Sequence, residues 1–221
     1  RGRVDHRRCA VTRRSRVRAA GDAATVEGVS HPAPARVATI ADLLAIPEAE
    51  RRHEVIDGVL VAKEAASGRH GVAQVRVTRR LGPYDRRPGG PGPGGWWFAT
   101  EVEIRLADTQ VFRPDGAGWL RERLPRMPDQ VPIEVRPDWV CEVLSQNRRN
   151  DLITKKRAYH QHAVGHYWLI DPVEETLAVH RWHPDGYVEV LVADRGERVR
   201  AEPFPEVEIA VGVLFGDDDD G

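Results

Sequence analysis

Residues 139–156 read WVCEVLSQNRRNDLITKK, and this stretch determines the fold prediction for the whole chain. Residues 139–145 are almost entirely apolar and predict a buried strand, while the segment that begins near Asp151 predicts a helix. Glu142 stands in the middle of that strand. Because a carboxylate buried alone is strongly destabilising or takes up a proton, Glu142 needs a cation, a hydrogen-bond network or a metal as its partner.

The composition is that of a soluble globular protein with one domain. The chain has 221 residues and a formal net charge of -1, so its overall charge does not by itself indicate a nucleic-acid-binding protein. Residues 1–36 are rich in arginine and predict a disordered tail, residues 37–215 predict a single domain, and residues 216–221 form an acidic C-terminal tail. No apolar run approaches the roughly 20 residues of a membrane span, and we expect a cytoplasmic protein.

The rest of the sequence predicts mainly strands, with three helices between them. Thr39 caps a short helix, Asp57-Gly58 suits the tight turn of a hairpin over residues 53–62, and Ser67 precedes a second helix. Apolar or alternating runs predict further strands at 96–98, 101–106, 111–115, 139–145, 166–170, 176–182, 187–192 and 206–211. With a third helix over residues 151–162, this order predicts a mixed sheet of the α/β or α+β class.

Three residues on consecutive elements form a candidate site. Asp115 follows a proline at a predicted strand end, Glu142 lies on the core strand, and Lys155 lies one turn into the next helix. Two carboxylates, the carbonyl of Val143 and several waters would suit Mg²⁺. A nearby ammonium would hold the attacking water, activate it by lowering its pKa, or offset charge on a phosphate. The alternative is a buried salt bridge between Glu142 and Lys155 or Arg157 that has no catalytic role.

Several short motifs occur in a characteristic order. They are PD at 114–115, EVLS at 142–145, DLITKKRAY at 151–159 and YWLIDP at 167–172. Together they resemble the "putative restriction endonuclease" (Uma-type) family of bacteria, within the PD-(D/E)xK nuclease superfamily. The sequences HEVIDG at 53–58 and SGRH at 67–70 are similar to that family's opening hairpin and following helix start, so the resemblance covers about residues 39–215.

The resemblance implies a restriction-endonuclease-like core with flanking helices and extra C-terminal antiparallel strands. It further implies a metal-dependent DNA endonuclease that uses Mg²⁺, with Mn²⁺ as a substitute, held by Asp115, Glu142 and the Val143 carbonyl. The superfamily lysine usually stands two residues after the acid, where this chain has Leu144, but the Uma-like pattern places it on the next helix, at Lys155. The same resemblance implies that Glu54 is an additional acid near the metal.

The family pattern also leaves alternatives open. By the resemblance, Glu103 either faces the metal or supports one of its ligands. The chain could be a catalytically inactive nuclease-fold module that binds DNA or has a structural role in a mobile-element or defence system, and RNA is an alternative substrate. Because one such site cuts one strand, double-strand cleavage would require a homodimer.

The arginines at 79, 80, 86 and 87 either steer a phosphate backbone or form a solvated basic face.

Overall fold

The Asp57-Gly58 turn folds β1 (His53–Ile56) and β2 (Val59–Ala62) into an antiparallel hairpin. Both turn residues have positive φ, +50° and +72°, as a two-residue turn of this type requires, and the predicted hairpin is confirmed. The computed structural model describes residues 36–218. The predicted tail at 1–36 therefore lies, except for Arg36, outside the described residues.

The hairpin belongs to a four-stranded antiparallel sheet in the order β2-β1-β5-β4, completed by β4 (Ile104–Ala107) and β5 (Gln110–Phe112). A second sheet has six strands in the order β10-β9-β8-β7-β6-β3. Its strands are β3 (Trp96–Ala99), β6 (Gly116–Leu120), β7 (Trp139–Val143), β8 (His166–Asp171), β9 (Thr176–Arg181) and β10 (Val188–Asp194). A short pair joins β11 (Arg198–Val199) to β12 (Ile209–Ala210).

The helices connect and cover these sheets. Helix α1 (Ile40–Leu44) begins with the predicted cap, because Thr39 and Asp42 form a reciprocal capping box. Helix α2 (Gly68–Arg80) begins at Ser67, whose hydroxyl accepts a hydrogen bond from the His70 N–H at 3.2 Å. The crossover between the parallel strands β7 and β8 contains a π-helical turn (Asn150–Lys155) followed by α3 (Lys156–Gln161), and a short α4 (Val211–Leu214) follows β12.

The two faces of β7 pack against different parts of the protein. Trp139 faces an aromatic cluster in which its ring centroid lies 5.5 Å from Trp168 and 5.6 Å from Phe204. Val140 faces the opposite way, into a second cluster that includes Tyr159 of α3. Because side chains alternate along a strand, this second face is also the one on which Glu142 lies.

Several predicted strands differ from the observed ones. The strand predicted at 101–106 begins only at Ile104, because Glu101 adopts a left-handed conformation with φ of +56°, which no regular strand accommodates. The strand predicted at 206–211 forms only at its end and continues into α4. The strand predicted at 111–115 ends at Phe112, and Asp115 instead immediately precedes β6, which the sequence patterns did not predict.

The described chain is an α+β protein whose six-stranded sheet is mixed, which confirms the predicted class. The C-terminal strands β9 and β10 extend the large sheet in antiparallel order, also as predicted. No helix within residues 36–218 is long and apolar enough to cross a membrane.

Candidate active site

A cavity of about 640 Å³ brings four of the predicted site residues together. Glu54, Asp115, Glu142 and Lys155 all line it, and each is no more than 4% exposed. Glu54 lies on β1, Asp115 directly before β6, Glu142 on β7 and Lys155 in the π-helical turn. The four-stranded and the six-stranded sheet therefore both contribute to one site. Charged side chains are this deeply buried only when they are paired, and the pairing determines what the site can do chemically.

The register of the large sheet positions Asp115. Gly116 pairs with Cys141 in the antiparallel ladder between β6 and β7, so the preceding residue, Asp115, lies level with Glu142. The backbone N–H of Val143 donates a hydrogen bond to Asp115 Oδ2 at 2.7 Å and fixes the carboxylate in the cavity wall. The opposite oxygen, Oδ1, lies 3.2 Å from His70 Nε2 on α2.

Lys155 lies at the centre of a group of acids. Its Nζ is 3.0 Å from Glu54 Oε2, 3.2 Å from Glu142 Oε1 and 3.4 Å from Asp151 Oδ1. Asp151 and Lys155 face each other because they are four residues apart within the π-helical turn, a local widening that is frequent at functional sites. Tyr159, one turn further on, donates its hydroxyl to Glu142 Oε1 at 3.0 Å.

Glu54 joins the cavity to the smaller sheet. Its Oε2 contacts Lys155, while its Oε1 accepts a hydrogen bond from the Arg113 N–H at 2.8 Å. The segment between β5 and β6, which carries Asp115, is thereby held against β1. Glu54 thus supports both the lysine and the loop of the candidate aspartate.

The pKa values of the two central acids are shifted in opposite directions. Burial raises the pKa of Glu142 well above its ordinary value; Lys155 opposes this effect, and the neighbouring acids Asp115, Asp151 and Glu54 add to it. Burial also acts to raise the pKa of Asp115, but His70, Lys63 and the Val143 N–H together lower it below its ordinary value. Asp115 is therefore the firmly ionised member of the pair, and Glu142 is the acid that another cation would stabilise.

Lys155 remains an ammonium at neutral pH. Burial alone would lower its pKa, but Glu142, Glu54 and Asp151 outweigh that effect and raise the pKa well above its ordinary value. A lysine that holds its proton this firmly cannot accept one from water. Its chemistry is to orient carboxylates and to stabilise negative charge.

Sequence reasoning missed the second lysine of this site, Lys63, which follows β2. Its Nζ lies 3.0 Å from Asp115 Oδ1 and 2.8 Å from both carboxylate oxygens of Glu101. Gln74 of α2 also reaches this group, because its side-chain amide donates to the Asp115 carbonyl at 2.9 Å. A compositional signal was present: of the 33 lysines and arginines only three are lysines, and two of those three, Lys63 and Lys155, line the cavity.

Glu103 is not brought to the cavity. It lies in the irregular segment before β4, and its Oε2 faces Arg51 Nη1 at 3.5 Å. The strand predicted from residue 101 would have placed Glu103 in alternation with its neighbours, but the left-handed Glu101 changes the direction of the chain. The remaining predicted residues converge without it.

The donor set suits a divalent ion that keeps part of its water shell. Both contacts to the Glu142 carboxylate fall on Oε1, so no described residue donates a hydrogen bond to Oε2. Val143, whose carbonyl was the predicted third ligand, lines the same cavity. Among residues 36–218 no three His, Cys, Asp or Glu side chains form a metal-binding group by themselves. Mg²⁺ is commonly bound by one or two carboxylates together with waters, so this set fits it.

Glu142→Gln is expected to stabilise the protein at neutral pH. The raised pKa of Glu142 means that its ionised form is disfavoured in the folded state, and Glu54 and Asp151 still pair with Lys155 in the variant. We expect the free energy of unfolding to rise by about 1–2 kcal/mol at pH 7. The gain should shrink as pH falls towards 4.5, where an unfolded glutamate also takes up its proton. Urea unfolding between pH 4 and 8 measures both, and an unchanged or lower stability at pH 7 would contradict this electrostatic description.

Asp115→Asn is expected to act in the opposite direction. Because the pKa of Asp115 is lowered, its ionised form stabilises the fold above its ordinary value of 3.8, and this contribution is lost as pH falls towards the folded-state pKa. The free energy of unfolding of the variant should be roughly 3 kcal/mol lower than that of the wild type at pH 7. A urea series extended below pH 4 should show the stabilities of the two proteins converging there, and a pH-independent difference would argue against the ion-pair explanation.

Comparisons with known proteins agree with this architecture. The chain is similar in fold to the crystal structure of a "putative nuclease belonging to DUF820" from Anabaena variabilis ATCC 29413, with a TM-score of 0.65 and 24% identity, over 80% of this chain and 97% of that one. No curated protein sequence matches the chain significantly. The family model of Uma2, described as "Putative restriction endonuclease", matches residues 40–212. The chain therefore has the predicted restriction-endonuclease-like fold and belongs to the Uma2 family.

Proposed function

We propose that this protein is an endonuclease that hydrolyses DNA phosphodiester bonds with Mg²⁺, or with Mn²⁺ in its place. The observation that carries the proposal is the convergence of Asp115, Glu142 and Lys155 at one buried cavity, in a chain of the Uma2 family. Their backbone positions lie on separate elements and up to 40 residues apart in sequence, yet the carboxylates lie level with each other and the ammonium reaches one of them.

Asp115 and Glu142 would hold the metal together with the Val143 carbonyl. Asp115 is suited to this role because it is ionised and fixed by the Val143 N–H, and Glu142 because its Oε2 receives no hydrogen bond from the described residues. When bound, the ion supplies Lewis-acid stabilisation of the phosphoryl oxygens and makes water a better nucleophile. Because the pKa of Glu142 is raised by burial, the positive charge of a bound ion would favour its ionised form.

Lys155 would act as a fixed positive charge. Since its proton is firmly held, it serves to orient Glu142 and to stabilise the negative charge that develops on the phosphate, and not as a general base. Glu54 keeps the lysine in place through its 3.0 Å contact. Tyr159 donates a second hydrogen bond to the same oxygen, Glu142 Oε1, which limits the freedom of the carboxylate to move away from the cavity.

Helix α2 offers a path for the phosphate backbone towards the cavity. Its sequence, GRHGVAQVRVTRR, has four arginines and no acidic residue. Arg69 lines the cavity, and Arg76 lies two turns further along nearly the same face. Within the described part of the chain neither arginine forms an ion pair, so both can neutralise phosphates at no cost to existing contacts. Double-strand cleavage would require two copies of the site, which a homodimer would supply.

A second candidate function is DNA binding without catalysis, as a structural module. It is favoured by one observation: Lys63 and Lys155 already pair with Asp115 and Glu142. In that case the lysines take the place of a metal and the acids only maintain the fold. A plasmid-nicking assay distinguishes the two functions, because a non-catalytic module binds DNA equally well with and without Mg²⁺ and leaves it intact.

Asp115→Ala is expected to abolish Mg²⁺-dependent nicking of supercoiled plasmid. Loss of a metal-holding carboxylate should lower the nicking rate by on the order of 100-fold or more, and EDTA should have the same effect on the wild-type protein. Asp185→Ala is the matched control, since the Asp185 side chain is 92% exposed and lies in a turn away from the cavity. Nicking that survives EDTA, or that Asp115→Ala leaves unchanged, would rule out the proposed function.

Arg69→Ala and Arg76→Ala are expected to weaken DNA binding uniformly across sequences. Log affinity falls as log salt concentration rises, and each variant should make this negative slope shallower by about 1, because each arginine would neutralise one phosphate. Fluorescence anisotropy with a labelled duplex, titrated between low and moderate salt, measures this slope. Arg198→Ala serves as the control, because Arg198 already pairs with Glu208. An equal loss in the control variant would show that only overall charge matters.

A further inference from the structure

Lys63 occupies a position that the proposed function does not explain. Its ammonium group touches four oxygen atoms: two of Glu101 at 2.8 Å, the Arg113 carbonyl at 2.7 Å and Asp115 Oδ1 at 3.0 Å. The side chain is 17% exposed and lines the cavity. An ammonium ion surrounded by carboxylate and carbonyl oxygens has the same kind of environment that a bound cation has.

We infer that Lys63 is an internal cation that competes with divalent metal for Asp115 and so determines the metal affinity of the site. This inference rests on the proposed metal-dependent nuclease function and extends it to how strongly the site binds its metal. Asp115 has two oxygens, and the Val143 N–H already holds Oδ2. The remaining oxygen, Oδ1, is the one that Lys63 contacts at 3.0 Å, and the neutral or charged ring of His70 lies 3.2 Å from the same oxygen.

The surroundings of Lys63 allow it to give up this contact. If Lys63 released Asp115, it would keep both oxygens of Glu101 and the Arg113 carbonyl, which satisfy its three N–H donors. Glu101 is held in this position by a left-handed backbone conformation with φ of +56°, which non-glycine residues seldom adopt. A metal could therefore displace Lys63 from Asp115 without leaving the ammonium unpaired, but would remain next to its positive charge.

The two lysines of the site differ in this respect. Lys155 contacts the carboxylates of Glu54, Glu142 and Asp151. Asp151 belongs to the same π-helical turn as Lys155, and the other two acids lie on neighbouring strands. Lys63 instead bridges a proposed metal ligand, Asp115, to an acid outside the cavity lining, Glu101. Removal of the Lys63 charge should therefore change metal binding more than it changes the arrangement around Lys155.

The test is an isothermal titration of Mn²⁺ into metal-free full-length protein. Lys63→Met is expected to bind Mn²⁺ at least tenfold more tightly than the wild type, and Lys63→Gln, which keeps a hydrogen-bond donor, should behave in the same way. Lys63→Arg keeps the charge and should bind no more tightly than the wild type. Lys156→Met is the matched control, because it removes a lysine charge next to Lys155 from a side chain that does not line the cavity.

The thermal midpoint of each metal-free variant, measured first, shows which variants are folded, and Lys63→Gln replaces Lys63→Met if the latter is not. Equal affinity in the wild type and in the folded Lys63 variant would overturn the inference while leaving the metal site intact. Tighter binding by Lys63→Arg would also overturn it, because charge would not be the cause. If Mn²⁺ binds to none of these proteins, the proposed metal site fails and the inference fails with it.

Discussion

The burial of several acids around one cavity is the constraint on which this structure depends. The acids that lie at or beside the cavity are Glu54, Glu101, Asp115, Glu142 and Asp151. Each of them lies between 2.8 and 3.4 Å from one of two ammonium groups, those of Lys63 and Lys155. Uncompensated, such a cluster would be protonated or would unfold the protein, because a low-dielectric interior disfavours isolated charge.

The fold places each ammonium where it can neutralise acids from different elements. The crossover between β7 and β8 returns the chain over the sheet, and its π-helical turn directs Lys155 towards Glu142 of the preceding strand. The β1–β2 hairpin ends at Lys63, which reaches the start of β6. The acids remain more numerous than the ammonium groups, and this excess adds to burial, which is the main cause of the raised pKa of Glu142. A cluster of buried acids lowers the free energy of unfolding, and proteins commonly keep such destabilising groups where they serve a function.

The sequence was sufficient to predict the local part of this site. Glu142 in an apolar run and Lys155 at the start of a helix lie 13 residues apart, and their contact follows from one crossover. Lys63 and Asp115 lie 52 residues apart, so no periodic pattern links them. Strand β6 was missed because it begins with Gly-Ala-Gly, which a strand prediction disfavours. The reason for the glycine is tertiary: a Cβ at Gly116 would lie 3.2 Å from the ring of Trp139.

An anomalous difference map from crystals of the protein soaked in Mn²⁺ would locate the proposed metal ion directly. We expect one strong peak in the cavity, within coordination distance of an Asp115 oxygen and Glu142 Oε2 and close to the Val143 carbonyl, with Lys63 moved away from Asp115 towards Glu101. A cavity without a peak at saturating Mn²⁺, with both lysines still bound to their carboxylates, would contradict this expectation.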